Sequence, residues 1–400
     1  MLGILLARYL GVEGFEAYVV ASAAFILMVT LVPQGLEKYS LKLLPPLLDR
    51  QELAPLRGYL RFATCRILLA CLLVGIPVGI WASQSNGLSP DTRIAIVISC
   101  LSLPVGALVH LAMEVLTVFG RPTAAALVFR VAVPGVVLAL VSFAIAMNLG
   151  LRATWAIGAW GLSWCVALGL MTWQIVRAAP SALMTGEAVA EPARWATKAR
   201  PFWLYRVALA VLAQAGVVAL EGLQPSVSAV GAFAAALATA SIAQVLATST
   251  NRVYASRLSM LLEHREYQAI FRLHRERLRW LALPLLAYVV VTFVFARQIM
   301  GLFRPEFVEQ GATALRILAA SSVLSILLSV TPTYLKHRGK NHLLFRSVVF
   351  AVALQLVLLL LLVPRLGAIG AALAYTVATC FMYGTLAWLA RRDLSRLQSA

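Results

Sequence analysis

Residues 343–363 form the stretch LLFRSVVFAVALQLVLLLLLV, in which Arg346 is the single charged residue. A helix of this length crosses the hydrocarbon core of a bilayer, which takes about 20 predominantly apolar residues. Pro364 and Gly367 follow at once, and a second apolar stretch then runs over residues 367–390. Because proline and glycine interrupt helices, this part of the chain predicts two transmembrane helices joined by a short turn.

Stretches of the same kind recur along the whole chain and predict about twelve transmembrane helices. The first is too short to span a bilayer, and we interpret it as a truncated helix. Either the start site is assigned too far along the sequence, or the N-terminal residues of the helix are missing. We expect no cleaved signal peptide, because no cationic segment precedes this stretch. The predicted helices are residues 1–11, 17–36, 62–84, 94–119, 123–148, 153–176, 202–221, 226–249, 278–297, 311–334, 343–363 and 367–390.

The composition excludes a soluble globular protein. Hydrophobic residues make up 61% of the chain, charged residues make up 12%, and the mean hydropathy is +0.87. Soluble domains keep about 25% of their residues charged, because their surface faces water. The sequence therefore predicts an all-α polytopic membrane protein.

Lys and Arg are distributed unevenly between the two sides of the predicted helix bundle. One set of alternate loops carries most of them, including Lys38, Arg57 and the segment 257–279, in which Arg277 lies. Cytoplasmic loops are enriched in Lys and Arg, so we predict a multi-pass protein of the bacterial inner membrane with both chain ends in the cytoplasm. The net charge of +18 then reflects orientation and contact with anionic lipid, and we expect no nucleic-acid partner.

The two halves of the chain resemble each other. At a shift of 215 residues, Tyr39 falls on Tyr254 and Arg57 falls on Arg272. This repetition predicts two pseudo-symmetric bundles of six helices, related by an axis along the membrane normal. The predicted parts are an N-terminal lobe over residues 1–177, a cytoplasmic linker over 178–200 and a C-terminal lobe over 201–400.

Several short motifs resemble those of a known transporter family. Residues 5–21 fit the pattern R-x-L-G-x-x-x-F-x-x-Y found at the start of polysaccharide-biosynthesis transporters, and residues 364–372 are similar to the P-x-x-G-x-x-G-A-A start of their twelfth helix. The chain resembles the O-antigen and teichoic-acid exporter (Wzx-like) branch of the MATE-like multidrug/oligosaccharidyl-lipid/polysaccharide superfamily. It departs from the pattern at Glu16 and Ala17, where the family favours Phe-Gly.

The resemblance implies a function and a substrate class. Such proteins are flippases: two six-helix bundles open alternately to each side of the membrane, and a polyprenyl-pyrophosphate-linked oligosaccharide crosses between them. The resemblance implies no enzyme activity and no cofactor. The expected partners are the lipid-linked oligosaccharide, membrane lipids, and polymerase or assembly proteins of surface polysaccharide.

Charged residues inside membrane helices are costly and usually functional. Arg206, Arg130 and Arg346 lie at similar depths in their predicted helices, where they either bind the substrate pyrophosphate or extend to lipid phosphates at the membrane surface. The polar residues Gln214, Gln244 and Asn251 are candidates for contact with the pyrophosphate or the sugar. We expect no metal to bind to these six residues or to the three ion-coupling candidates described next.

Three further residues are candidates for ion coupling. His110 and Glu114 are one helical turn apart and so share a face, where they either titrate together or form a structural ion pair with Arg130. Glu221 closes the seventh predicted helix and either takes up a proton or is an exposed helix end. We interpret Glu37 and Lys38, which follow the second predicted span, as an interfacial pair.

Other functions remain as alternatives. Multidrug cation efflux by the same fold would need acidic residues in the cavity, whereas the deepest charges here are mostly Arg. A lipid II flippase is closer in chemistry but usually has fourteen spans. A membrane glycosyltransferase or ligase would need catalytic carboxylates or histidines on large outer loops, and the predicted loops are short.

Overall fold

The computed structural model describes residues 2–180, 183, 186–223, 227–264 and 266–399. Within these ranges the chain is helical, with short turns and no strand, which confirms the all-α prediction. The chain divides into two compact units, Met1–Gln214 and Ala215–Ala400. The predicted lobe boundaries, at residues 177 and 201, stay a prediction.

The first unit contains seven helices and the beginning of an eighth. A π-helical turn, Val128–Ala132, joins α5 to α6 in one continuous helix. The eighth helix begins at Pro192, inside the predicted linker; residues 181, 182, 184 and 185 of that linker lie outside the described residues. The helices are α1 (Leu2–Leu31), α2 (Leu36–Asp49), α3 (Leu53–Gln84), α4 (Pro90–Val118), α5 (Pro122–Leu127), α6 (Val133–Ala146), α7 (Ala153–Ala178) and α8 (Pro192–Leu223).

The second unit begins within α8 and continues to the end of the described chain. A 3-10 turn, Pro305–Phe307, leads into the helix that begins at Val308. That turn begins 215 residues after α4 begins at Pro90, which matches the shift found in the sequence. The helices are α9 (Val227–Ser241), α10 (Gln244–Glu263), α11 (Tyr267–Val294), α12 (Ala296–Phe303), α13 (Val308–Leu328), α14 (Val330–His337) and α15 (Asn341–Ser399).

Nine helices of the described chain are long and apolar enough to cross a membrane, compared with about twelve predicted spans. The first two predicted spans fall in α1, which is interrupted at Gly11, and the last two fall in α15, which is interrupted at Gly367. The eighth predicted span is divided between α9 and α10, because the helix breaks after Ser241. The numbers nine and twelve therefore differ because two pairs of predicted spans each share one helical element and one predicted span is divided between two helices.

At Gly367 the chain reverses direction. Its φ of 52° and ψ of −128° are not helical, and L-residues rarely adopt them. A Cβ on Gly370 would lie 2.5 Å from the carbonyl oxygen of Leu362. In a straight helix two residues eight positions apart are separated by about 12 Å. The two arms of α15 are therefore folded back on each other, as the sequence predicted for residues 343–363 and 367–390.

Large apolar side chains cover the outer surface of both units. Leu101 is 75% exposed and Leu73 is 68% exposed, and in the second unit Leu283 is 76% exposed and Leu360 is 63% exposed. Apolar surface of this extent is unstable in water and is what a lipid-facing helix needs. Together with the long apolar helices, this surface defines a multi-pass membrane protein.

Inside each unit, small residues let helices approach closely. A Cβ on Gly106 of α4 would lie 2.5 Å from the ring of Phe25 in α1, and a Cβ on Gly216 of α8 would lie 2.7 Å from the ring of Phe233 in α9. Glycine removes this clash and lets an aromatic ring fill the space, which is how helices pack when no water drives them together.

Candidate functional site in the first unit

The junction between α1 and α2 is fixed against α8. Gly35 precedes α2 with φ of +77°, and a Cβ there would lie 2.5 Å from the carbonyl oxygen of Ala199 and 2.6 Å from the backbone nitrogen of Trp203. The indole Nε1 of Trp203 donates a hydrogen bond to the carbonyl oxygen of Leu31, at 2.7 Å. Only glycine allows both this backbone conformation and this approach, so α8 lies directly against the start of α2.

The start of α2 is held from its other side by α3. Tyr59 is fully buried, and its hydroxyl donates a hydrogen bond to the carbonyl oxygen of Leu36 at 2.5 Å. The ring of Tyr59 contacts that of Trp195 edge-on, with centroids 5.3 Å apart. Because α8 holds the carbonyl of Leu31 at the end of α1 and α3 holds that of Leu36 at the start of α2, the side chains of Glu37 and Lys38 have defined directions.

Glu37 is buried against α8. Its side chain is 1% exposed and forms an ion pair with the guanidinium of Arg206, whose side chain is 23% exposed. The second carboxylate oxygen, Oε2, has no hydrogen-bond partner among the described residues. Glu37 therefore pairs with Arg206 and not with its neighbour Lys38, because the tight turn at Gly35 directs α2 against α8 and a buried carboxylate needs a cation. The position of Glu37 at the membrane interface stays a prediction.

Lys38 pairs in the opposite direction. Its amino group donates to the carboxylate of Glu114 on α4, and the two side chains are 34% and 6% exposed. Two adjacent residues of α2 thus connect α8 on one side with α4 on the other. The four side chains, Arg206, Glu37, Lys38 and Glu114, carry two positive and two negative charges, and we call them the ion-pair network.

His110 lies one turn before Glu114 on α4, as expected, but in an aromatic environment. Its ring centroid is 5.5 Å from that of Phe129 and 5.7 Å from that of Trp164. Glu114 forms its ion pair with Lys38 and not with Arg130, which is exposed on the π-helical turn. The predicted Glu114–Arg130 pair is therefore wrong, because α2 packs against α4 and places the amino group of Lys38 next to the carboxylate of Glu114.

The other predicted site residues occupy varied environments. Arg346 is exposed near the start of α15, whereas Gln214 and Glu221 on α8 and Gln244 at the start of α10 are half-buried. Asn251 accepts hydrogen bonds in the second unit, as described below. Their roles in substrate binding and ion coupling, including a shared site for the three predicted arginines, stay predictions.

Arg277 was missed by the sequence analysis, which placed it among the cytoplasmic cations. Its side chain is fully buried in the second unit, because α11 begins at Tyr267 and not at the predicted residue 278. The signal was available: Leu273 and Leu281, four residues on either side, are also buried. Apolar residues at this spacing mark a buried helix face, and Arg277 lies on that face.

A second charged cluster joins α14 to the end of α15. Asp393, 8% exposed, accepts hydrogen bonds from the hydroxyl of Tyr334 at 2.8 Å and from Nε of Arg338 at 3.1 Å, and also forms an ion pair with Lys340. Within the described part of the chain, no group of three or more His, Cys, Asp or Glu side chains could hold a metal ion.

Solved membrane transporters share this fold. A multidrug resistance MATE-family transporter of the MOP superfamily, solved in an inward-facing conformation, matches with a TM-score of 0.79 at 16% identity, over 100% of this chain and 94% of that one. The lipid II flippase MurJ, solved in an inward closed conformation, matches with a TM-score of 0.70 at 12% identity, over 99% and 86%.

A third solved structure is a MOP superfamily transporter from Pyrococcus furiosus with a binding pocket of reversed polarity. It matches with a TM-score of 0.64 at 16% identity, over 99% of this chain and 91% of that one. No protein-family profile and no curated protein matches the sequence. The likeness to solved structures establishes the fold: this chain is a multi-pass membrane protein with the fold of MATE-family transporters.

Proposed function

We propose that this protein is a flippase that moves a polyprenyl-pyrophosphate-linked oligosaccharide across the inner membrane by alternating access, for assembly of surface polysaccharide. The observation that carries the proposal is the pairing of buried acids. Of the four acids that are buried among the described residues, three (Glu37, Glu114 and Asp393) form ion pairs with Lys or Arg. Exporters of cations need acids that are available to the cargo, so this pairing favours an anionic cargo.

The ion-pair network supplies groups that an anionic cargo would bind. The side chains of Arg206 and Lys38 are 23% and 34% exposed, while their partners Glu37 and Glu114 are almost fully buried. The cations are therefore the accessible members of both pairs. A guanidinium binds phosphate oxygens through two parallel hydrogen bonds, so a pyrophosphate competes with Glu37 for Arg206.

The same fold carries two rival cargoes. Multidrug efflux is supported by the likeness to a multidrug resistance transporter, and lipid II transport by the likeness to MurJ. Paired acids disfavour the first. Lipid II is itself a lipid-linked pyrophosphate. Lipid II transport therefore differs from our proposal in the sugar that is carried, while the charged group that Arg206 would bind is the same.

The proposal includes a cellular setting. The uneven distribution of Lys and Arg supports an inner-membrane protein with both chain ends in the cytoplasm. The substrate would then enter from the inner leaflet, where Arg206 and Lys38 meet its pyrophosphate. Polymerase or assembly proteins of surface polysaccharide would take the oligosaccharide on the other side.

Deletion of the gene tests the function. We expect loss of surface polysaccharide and accumulation of lipid-linked repeat units in the inner leaflet, with unchanged susceptibility to cationic drugs. Unchanged polysaccharide would contradict the proposal, and increased drug susceptibility in that strain would favour multidrug efflux. Arrested peptidoglycan synthesis would instead identify lipid II as the cargo.

Complementation with variants tests the role of Arg206. Arg206→Ala should fail to restore polysaccharide, and Arg206→Lys should restore part of it, because the charge remains and the two-bond geometry is lost. Arg200→Ala is the matched control, since Arg200 lies on the same helix and is exposed. Equal activity of Arg206→Ala and the control, at equal protein levels, would remove Arg206 from the site.

A further inference from the structure

Arg277 is a buried charge whose partners are all neutral. Its Nη2 atom contacts the side-chain oxygens of Asn251 at 2.9 Å, Ser329 at 2.7 Å and Thr250 at 3.4 Å, and the carbonyl oxygen of Ile326 at 3.2 Å. The four acceptors therefore gather around one nitrogen. Neutral dipoles compensate a guanidinium only in part, because they carry no net charge.

The remaining nitrogens of Arg277 are unpaired. Nε and Nη1 are buried and have no hydrogen-bond partner among the described residues. A guanidinium has five N–H bonds, so three of them, one on Nε and two on Nη1, have no described acceptor. The ring of Tyr254 has its centroid 6.0 Å from the guanidinium carbon, which is the limit for a cation–π contact. A buried cation in this state calls for an anion.

An apolar cavity lies beside Arg277 and its four hydrogen-bond acceptors within the second unit. It has a volume of about 460 Å³ and is lined mainly by aliphatic side chains of α10, α11, α13, α14 and α15. This size is in the range of small-molecule sites, about 300–1,000 Å³, which combine apolar walls with a few polar groups. The polar and charged groups of its wall include Tyr254, His274, Thr331, Tyr334 and Arg391.

Arg277 and its four acceptors lie next to residues that line this cavity. On α11, His274 lines the cavity and Arg277 lies one turn further along, and on α10 Tyr254 lines it while Asn251 lies one turn before. Leu328 and Val330, on either side of Ser329, also line the cavity. Tyr254 belongs to both places, because it lines the cavity and its ring centroid lies 6.0 Å from the guanidinium carbon of Arg277.

We propose that this cavity binds an organic anion with an apolar body, whose carboxylate or phosphate pairs with Arg277 once the ring of Tyr254 turns aside. The aliphatic walls take the apolar body, and Arg391 draws the anion toward the cavity. The site lies wholly within the second unit and involves none of the ion-pair network. It does not depend on the proposed flippase function.

Direct binding to the purified full-length protein tests this proposal. The protein is reconstituted in nanodiscs of phosphatidylcholine, which has no net charge, and titrated calorimetrically with 2-naphthoate. Uncharged 2-naphthamide and cationic 2-naphthylmethylammonium are the matched probes. We expect saturable binding of the anion and at least about tenfold weaker binding of both other probes, because only the anion compensates the charge of Arg277.

Variants locate the binding. Arg277→Gln should weaken naphthoate binding at least about tenfold, equivalent to about 1.4 kcal/mol, while Arg279→Gln, an exposed position on the same helix, should leave it unchanged. Ala390→Phe fills the cavity without changing a charge and should also weaken binding, which keeps the test informative if Arg277→Gln does not fold. Equal affinity for naphthoate and naphthamide, no saturable binding, or wild-type affinity in Arg277→Gln would each overturn the proposal.

Discussion

Glu37 of α2 and Arg206 of α8 are 169 residues apart in the sequence and form an ion pair whose carboxylate is 1% exposed. The pair exists because a glycine turn brings α2 against α8, where the backbone of Gly35 approaches Ala199 and Trp203. It therefore depends on the position of two helices in the first unit. This dependence makes the pair a sensitive reporter of the fold as well as of function.

Breaking this pair should destabilise the protein. Glu37→Gln removes the carboxylate that pairs with Arg206, and loss of one partner of a buried pair costs about 3–5 kcal/mol. Because Arg206 retains some exposure, we expect about 2 kcal/mol, measured as a lower melting temperature in detergent. The double variant Glu37→Gln/Arg206→Gln should be more stable than the sum of the single effects predicts. Additive effects would contradict a direct interaction.

Removal of the Tyr59 hydroxyl should loosen α2. Tyr59→Phe leaves the carbonyl oxygen of Leu36 without its partner, and a lost buried hydrogen bond costs about 1–3 kcal/mol. We expect a lower melting temperature and reduced transport, since Glu37 and Lys38 follow directly on α2. The control is Tyr9→Phe, because Tyr9 is 54% exposed. Equal melting temperatures for both variants would show that the hydroxyl does not hold α2.

The reversal at Gly367 should tolerate no side chain. Gly367→Ala forces a Cβ onto a backbone with φ of 52° and ψ of −128°, and such strain costs about 1–3 kcal/mol. Gly384 lies in the helical part of the same element, and a Cβ there meets nothing within 4 Å. Gly384→Ala should therefore be neutral or stabilise by up to about 1 kcal/mol. Thermal unfolding of the two variants measures the contrast, and equal losses would refute it.

Asp393 should fasten the C-terminal arm of α15 to α14. Asp393→Asn weakens its contacts with Arg338 and Lys340; because both cations are about one-third exposed, we expect a loss of about 1–2 kcal/mol. Limited trypsin digestion should then cleave faster at Arg391 and Arg392. Glu309→Gln, at an exposed position, serves as the control. Unchanged cleavage in Asp393→Asn would show that the arm is held by other contacts.

The sequence by itself determined the class of protein and the places of most helices. An apolar stretch such as residues 343–363 predicts a membrane helix because the length and hydrophobicity of a span are local properties. The turn at Gly367 was also predictable, since glycine and proline interrupt helices wherever they occur. The motif resemblance extended this to a MATE-like fold, which the likeness to solved transporters supports.

Only the tertiary structure decided which charges are buried and with what they pair. Glu37 and Lys38 adjoin a predicted span and were interpreted as an interfacial pair, yet Glu37 pairs with Arg206 of α8 and Lys38 with Glu114 of α4. Arg277 was placed among the cytoplasmic cations, and the structure shows its side chain fully buried. The physical reason is that a charge is stabilised by groups close in space, and helices far apart in the sequence supply those groups only after they pack.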